Sequence, residues 1–173
     1  MSAFEQAFTI IVGHEGGFSI NPRDPGNWTG GAVGRGQCRG TNWGVSAASY
    51  PQLDIKGLTL DGARTVYRRD FWDRVRGDEL PPPLALLVFD AAVNSGVSRA
   101  VRWLQGAAGT EPDGVLGPLT LAAARAGPSL DVMAEFQAQR LAFMAALPTW
   151  RTFGLGWARR LCRLPYQAIG MGS

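Results

Sequence analysis

The run His14-Glu15-Gly16-Gly17-Phe18 is followed by Asn21-Pro22-Arg23-Asp24-Pro25-Gly26 and closed by Thr41-Asn42-Trp43-Gly44. It decides how the rest of the 173-residue chain is read. Before it, Phe4, Ala7, Phe8 and Ile11 fall at helical spacing, and Ser2 with Glu5 forms a capping-box pair. The spacing predicts a first helix over Ser2 to His14, stopped by Gly16-Gly17. Glu15 then stands at the end of a rigid element with glycine beyond it, a placement that suits a general acid. A solvated helix-end carboxylate is the competing reading.

From Phe18 to Gly44 the chain loses helical periodicity and fills with turn signals: Asn21-Pro22, Asp24-Pro25-Gly26, Gly30-Gly31, Gly34, Gly36 and Gly40. Short extended pieces around Phe18–Ile20 and Trp43–Val45 are expected to pair as a small β-ribbon. So long a loop is usually functional, and its aromatic residues Phe18, Trp28 and Trp43 argue against a disordered linker.

The remainder reads as helices. A short one is expected over Ser46 to Tyr50. Another, capped by Thr59, runs to about Val75. Leu84 to Ser95 is so apolar that it predicts a buried central helix ending at Gly96. Further helices are expected from a Ser98 cap to Ala107, over Leu119 to Ala126, from a Ser129 cap to Leu147, and over Phe153 to Leu164, with a frayed tail from Pro165. No βαβ alternation, phosphate-loop glycine motif or coiled-coil heptad is present.

With 46% hydrophobic and 18% charged residues the chain can bury a real core in one domain. Net charge is +3 and the pI is about 9.3, carried almost wholly by arginine, Lys56 being the sole lysine. A mild positive charge favours an anionic polymer, whether nucleic acid, membrane surface or bacterial wall. Lys/Arg residues form only pairs, as at Arg68-Arg69 and Arg159-Arg160, which argues against a nucleic-acid groove. Cys38 and Cys162 make neither a disulfide framework nor a zinc site; free thiols are expected, with one long-range bridge as the alternative outside the cytosol. Met1 to Val12 carries Glu5 and has no basic n-region or cleavage site, so synthesis in the cytoplasm without a signal peptide is expected. The longest apolar run, Pro81 to Val93, is interrupted by Asp90 and too short to span a bilayer, so no stable membrane association is expected.

Glu15 and Asp24 lie nine positions apart across a turn. Glycoside hydrolysis needs two carboxyl groups flanking one bond: one donates a proton to the leaving oxygen, and the other stays ionised to activate water or stabilise charge on the sugar. Apolar Phe18 would raise the pKa of Glu15, and a wet Gly/Pro loop would keep Asp24 ionised. The alternative for Asp24 is an Asx-turn residue before Pro25-Gly26. Thr41 adds a hydroxyl that could position water, or is simply a strand-edge residue. Trp28 and Trp43 could stack on sugar rings, Trp28 nearer a cleft and Trp43 nearer the core. His14, the only histidine, is a candidate for substrate contact. Asp90 and Asn94, four apart on the central helix, read as buried polar groups tying it to the loop or capping its end, and Asn94 also stands as a substrate-binding candidate. No metal or cofactor is expected.

These motifs, with Thr41-Asn42-Trp43-Gly44-Val45-Ser46, Tyr67 to Trp72, Leu86 to Gly96, Arg99 to Gln105, Asp113 to Thr120 and Gly156 to Arg160, resemble glycoside hydrolase family 108 from about Phe4 to Leu164. The resemblance implies a mainly α, lysozyme-like fold with a small β-ribbon and Gly-rich loop after the first helix. It divides a single domain, 1–173, into a catalytic lobe of about 4–95 and a helical part, 97–164, similar to a peptidoglycan-binding region. It implies a peptidoglycan hydrolase, an N-acetylmuramidase cleaving the β-1,4 bond between N-acetylmuramic acid and N-acetylglucosamine, with Glu15 as acid. The Glu, Asp, Thr order is also similar to the catalytic trio of phage-type lysozymes. There the Thr follows the Asp more closely. Here Thr41 lies seventeen positions after Asp24, past a Gly-rich insertion, and Thr29 is a second candidate.

The expected partner is therefore the glycan strand of peptidoglycan, not nucleic acid. The expected setting is a phage or prophage endolysin that reaches the periplasm and cell wall through a holin or another route. A non-catalytic wall-binding module using Trp28 and the C-terminal region is the alternative.

Overall fold

The computed structural model describes residues 1–13, 17–127 and 129–172, and the chain divides into two compact units, a loop unit of residues 8–67 and a helical unit of residues 1–7 with 68–173. Seven α-helices and one two-stranded ribbon make up its regular structure among the described residues.

The first helix, α1 (Ala3–Val12), opens as expected, with the Ser2 hydroxyl accepting from the Glu5 N–H at 3.2 Å. It stops earlier than the Gly16-Gly17 pair suggested. Gly13 takes φ 65 and its N–H closes on Thr9 O at 2.9 Å, the left-handed C-terminal stop that glycine adopts at low cost. The apolar stripe of α1 serves both units. Phe4 meets Trp72 edge-on at 5.5 Å and Phe89 at a tilt at 6.1 Å, whereas Phe8 meets Tyr67 edge-on at 5.6 Å.

In the helical unit, α3 (Pro82–Ser95) is buried along Leu84 to Ala92 and packs against α4 (Val97–Ala107), α6 (Ser129–Ala145) and α7 (Trp150–Ile169). Pro82 sits at the first helical position, where its missing N–H costs nothing. Gly96, at φ 89, ends α3 and begins α4 at once, so Ser98 lies inside α4 and is not its cap; its hydroxyl instead accepts from Arg102 at 2.7 Å. The segment α5 (Pro118–Ala126) follows a turn in which Gln105 holds Asp113 and Gly114.

Asp90 is fully buried on α3, and its role differs from the expected tie to the loop. One carboxylate oxygen accepts from Arg140 of α6 at 2.7 Å and the other from Arg160 of α7 at 3.0 Å. Burial pulls the Arg140 guanidinium below its usual range, and the adjoining carboxylate pushes it back up. Arg140 also donates to Gln137, whose own amide donates to Leu161 O at 2.9 Å. That last bond has a local cause. Pro165 lies four residues on within α7 and has no N–H to offer that carbonyl. With Gln137 as substitute donor, α7 continues to Ile169 where a frayed tail was expected.

In the loop unit, α2 (Leu60–Tyr67) starts at a Thr59 cap, the hydroxyl accepting from Gly62 N–H at 3.1 Å. Its winding widens to a π-helical turn at Arg68–Trp72, where the chain passes into the helical unit. No short helix forms over Ser46 to Tyr50: Ser46 ends the ribbon and residues 47–49 form a turn. The ribbon pairs β1 (Thr41–Asn42) with β2 (Val45–Ser46) in the register Thr41 to Ser46 and Asn42 to Val45. The expected Phe18–Ile20 strand contributes only one antiparallel bridge, Ser19 to Thr41, with mutual N–H···O bonds of 2.8 Å.

Candidate active site

His14, Glu15 and Gly16 lie outside the described residues. Asp24 and Thr41 are described, and a third side chain brings them together. Asp24 precedes a single 3-10 turn, Pro25–Asn27, and its Oδ1 accepts from the Gly26 N–H at 2.9 Å. This is the Asx-turn geometry that Asp-Pro-Gly favours. The same turn carries Asn27 back beneath Asp24. Asn27 is 2% exposed, and its amide nitrogen donates to Asp24 Oδ2 at 2.9 Å and reaches Thr41 Oγ1 at 3.5 Å. Its Oδ1 accepts from the Asn21 N–H at 3.0 Å. The two readings weighed for Asp24, turn former and reactive carboxylate, are therefore compatible. The turn bond uses one oxygen and the Asn27 bond orients the other, on an exposed residue.

Backbone bonds fix the loop around this constellation. Asn27 O accepts from Arg39 N–H at 2.8 Å and from Gly40 N–H at 3.2 Å; Gly26 O accepts from Ala48 N–H and Gly40 O from Ala47 N–H, both at 3.0 Å. Gly40 must be glycine for two reasons. Its φ is +83, and a Cβ there would stand 2.4 Å from Ser19 O. The glycine-rich stretch between Trp28 and Cys38 is a hairpin. Thr29 serves that hairpin, its hydroxyl accepting from Gln37 N–H at 2.9 Å.

Both tryptophans are half-buried, so burial does not separate them as expected. The Trp28 indole N–H donates to Pro22 O at 2.9 Å, which pins its ring to the segment leading into Asp24. Trp43 occupies the turn between β1 and β2 with φ 51, followed by Gly44 at φ 76. Positive φ at both central positions is the type I′ turn that matches strand twist, and a non-glycine residue there costs about 1–2 kcal/mol. Tyr67 offsets this, its hydroxyl donating to Trp43 O at 3.2 Å. Behind the ribbon, Asn42 is buried and its amide donates to Ile55 O at 3.0 Å and Leu58 O at 3.1 Å. Strain held by neighbouring structure is a common feature of ligand-contacting positions.

Asn94 belongs to the helical unit. Its amide donates to Asp90 O at 2.7 Å, a bond back within α3 and not a cap at Gly96. It lines a cavity of about 330 Å³ with Arg99, Phe143, Trp157 and Arg160. Both cysteines are free thiols. Among the described residues no His/Cys/Asp/Glu cluster could hold a metal, and no helix is long and apolar enough to cross a membrane.

Asn27 is the residue that sequence reasoning passed over. The signal was an Asn three positions after Asp in Asp24-Pro25-Gly26-Asn27, where one tight turn returns the side chain to its start.

The Glycosyl hydrolase 108 family model matches residues 8–96. Among solved structures, Brucella abortus SagA is similar with a TM-score of 0.81 at 33% identity, over 98% of this chain and 95% of that one. No curated protein matches the sequence.

Proposed function

Since the chain belongs to glycosyl hydrolase family 108, with the mainly α, lysozyme-like fold expected of it, we propose that this peptidoglycan-directed glycoside hydrolase is an N-acetylmuramidase. In this reading Glu15 protonates the oxygen leaving from the bond between N-acetylmuramic acid and N-acetylglucosamine. Asp24, ionised, faces the positive charge that develops on the sugar or draws a proton from the attacking water. Thr41 holds that water, and Trp28, Trp43 and His14 contact the glycan; Asn94 is a separate candidate for substrate contact.

The observation that carries the proposal is the Asp24–Asn27–Thr41 linkage, because it gives the two candidate polar groups a common, buried support. Reactive groups need such pre-orientation, since a misplacement of about 1 Å can cost roughly a hundredfold in rate. The place of action in this reading is the periplasm and cell wall. A phage or prophage endolysin, made in the cytoplasm and released through a holin or another route, is the setting that the sequence resemblance supports.

The test compares wild type with Glu15→Gln on purified sacculi and on chloroform-permeabilised Gram-negative cells. Wild type should release reducing ends that borohydride converts to muramitol. The variant should lose at least about a hundredfold in rate, the scale of a lost general acid. Glucosaminitol in place of muramitol would overturn the bond assignment, and an active Glu15→Gln would remove Glu15 as the acid.

A further inference from the structure

We infer that a groove in the loop unit, separate from the Asp24–Asn27–Thr41 constellation, binds the peptide stem of the wall polymer, a short peptide carrying carboxylates and a free ammonium group. The inference rests on the peptidoglycan reading above. The groove has a volume of about 520 Å³, and Phe18, Ile20, Arg39, Asp54 and Lys56 are among its lining residues.

Its cations differ from the surface arginines that stand beside a carboxylate, as at Arg64–Asp61, Arg68–Asp73 and Arg76–Glu79. Arg39 and the sole lysine, Lys56, are exposed cations with no ion pair among the described residues. Arg39 is nevertheless held in place. Its Nε donates to Gln37 Oε1 at 2.8 Å and its Nη1 to Pro51 O at 3.2 Å. Two of five N–H groups are then spent on neutral acceptors, and three remain for a ligand on a fork already oriented. A pre-positioned guanidinium suits a carboxylate because little side-chain entropy remains to be lost on binding.

Asp54 supplies the opposite charge on the same groove. Its Oδ1 accepts from Gly57 N–H at 3.2 Å, leaving the other oxygen for an ammonium. Phe18 and Ile20 give apolar wall at 40% and 52% exposure, apolar area that a peptide methyl would cover. Two cations, one anion and an apolar wall match a peptide of alanine, γ-linked glutamate and a diamino acid better than they match a neutral sugar.

Position supports the same occupant. Phe18 and Ile20 line the groove while Ser19 between them does not, the alternation of an extended segment. Ser19 is the residue bridged to Thr41. The groove wall is thus hydrogen-bonded to the strand that carries the proposed water-positioning hydroxyl. Strands in such a pair lie about 4.8 Å apart. A four-residue stem, extending about 13 Å, can pass from a sugar at Thr41 around that edge into the groove.

The experiment uses the full chain and two glycan substrates, intact sacculi and the same sacculi freed of stem peptides by an amidase. Against Arg39→Gln/Lys56→Gln, kcat/KM on the peptide-bearing glycan should fall about tenfold, the scale of two partly solvated ion contacts, with less than about a twofold change on bare glycan. Lys56→Gln alone, at an exposed side chain, should fall roughly threefold and serves if the double variant folds poorly. Equal loss on both substrates, or no loss on either, overturns the inference. A second arm does not need catalysis. Free L-alanyl-γ-D-glutamyl-diaminopimelyl-D-alanine is titrated into the wild-type chain and the double variant by calorimetry. Saturable binding weakened by the variant supports the groove, and absent or unchanged binding overturns it. If wild type cuts neither glycan, the hydrolase reading fails while the titration still decides the groove.

Discussion

Replacing Asn27 by Ala separates orientation from stability at the proposed site. Two bonds vanish with the amide: the acceptor for Asn21 N–H at 3.0 Å and the donor to Asp24 Oδ2 at 2.9 Å; the 3.5 Å approach to Thr41 adds little. A neutral hydrogen bond contributes about 1 kcal/mol net, and one to a carboxylate somewhat more, here discounted because Asp24 is exposed and water can replace the donor. The small void left by a side chain 2% exposed brings the loss to about 2–3 kcal/mol. For a chain of this length that is a fall in Tm of about 5–10 °C. The kinetic effect should be larger in proportion. With its Oδ2 untethered, Asp24 is held only by the Gly26 N–H on Oδ1, and kcat should drop roughly thirtyfold to a hundredfold while KM moves less than about threefold. Release of reducing ends from sacculi gives the rate and differential scanning calorimetry the stability. Asn42→Ala is the control. It removes buried bonds to Ile55 O and Leu58 O without touching Asp24, so it should cost similar stability and spare kcat. If Asn27→Ala loses stability but keeps kcat within about threefold of wild type, Asn27 is only a loop anchor and the reasoning fails.

Two further outcomes follow from the same geometry. Gly40→Ala forces a side chain to φ +83 and a Cβ to 2.4 Å from Ser19 O, so the bridge to Thr41 must open. Urea unfolding should show a loss of more than about 2 kcal/mol, with reduced activity on intact sacculi. Acid stability should depend on Asp113. The Gln105 amide at 2.6 Å and then the Val115 N–H at 2.8 Å hold its carboxyl below the usual range. A depressed folded-state pKa gives stability that is present above the unfolded value and lost as pH falls through the folded one. The drop in Tm between about pH 6 and about pH 3 should therefore be smaller in Asp113→Asn than in wild type, and an equal drop would remove Asp113 from the account.

Most of the fold was legible because helices announce themselves through local periodicity. The stretch from Leu84 to Ser95 has few polar positions, and the buried α3 is what such a stretch becomes. The ends were harder, since they depend on where orphaned backbone groups find partners. Pro165 is a reasonable stop for α7 in isolation. It is not the stop because Gln137, 24 positions before Leu161, serves the Leu161 carbonyl that the proline leaves open. A long-range donor of that kind has no local sequence signature. The same holds for Asp90, whose burial could be guessed from its neighbours but whose arginine partners lie 50 and 70 positions away.

The candidate site was legible in its chemistry and not in its wiring. Residue types and order marked Asp24 and Thr41 as carboxylate and hydroxyl of one loop. Seventeen positions between them suggested that the insertion had displaced one from the other. The structure gives the physical reason it does not. The hairpin from Trp28 to Cys38 folds back on itself, so Arg39 and Gly40 return to donate to Asn27 O. The extra residues extend outward as a closed excursion and leave the distance across its base short. Closing such an excursion costs entropy that rises only with the logarithm of its length, which is why an insertion of this size can sit beside a site without undoing it. Asn27 stands at that base, its backbone closing the excursion and its side chain joining Asp24 to Thr41. One residue thus does locally what sequence spacing made look like a long-range problem.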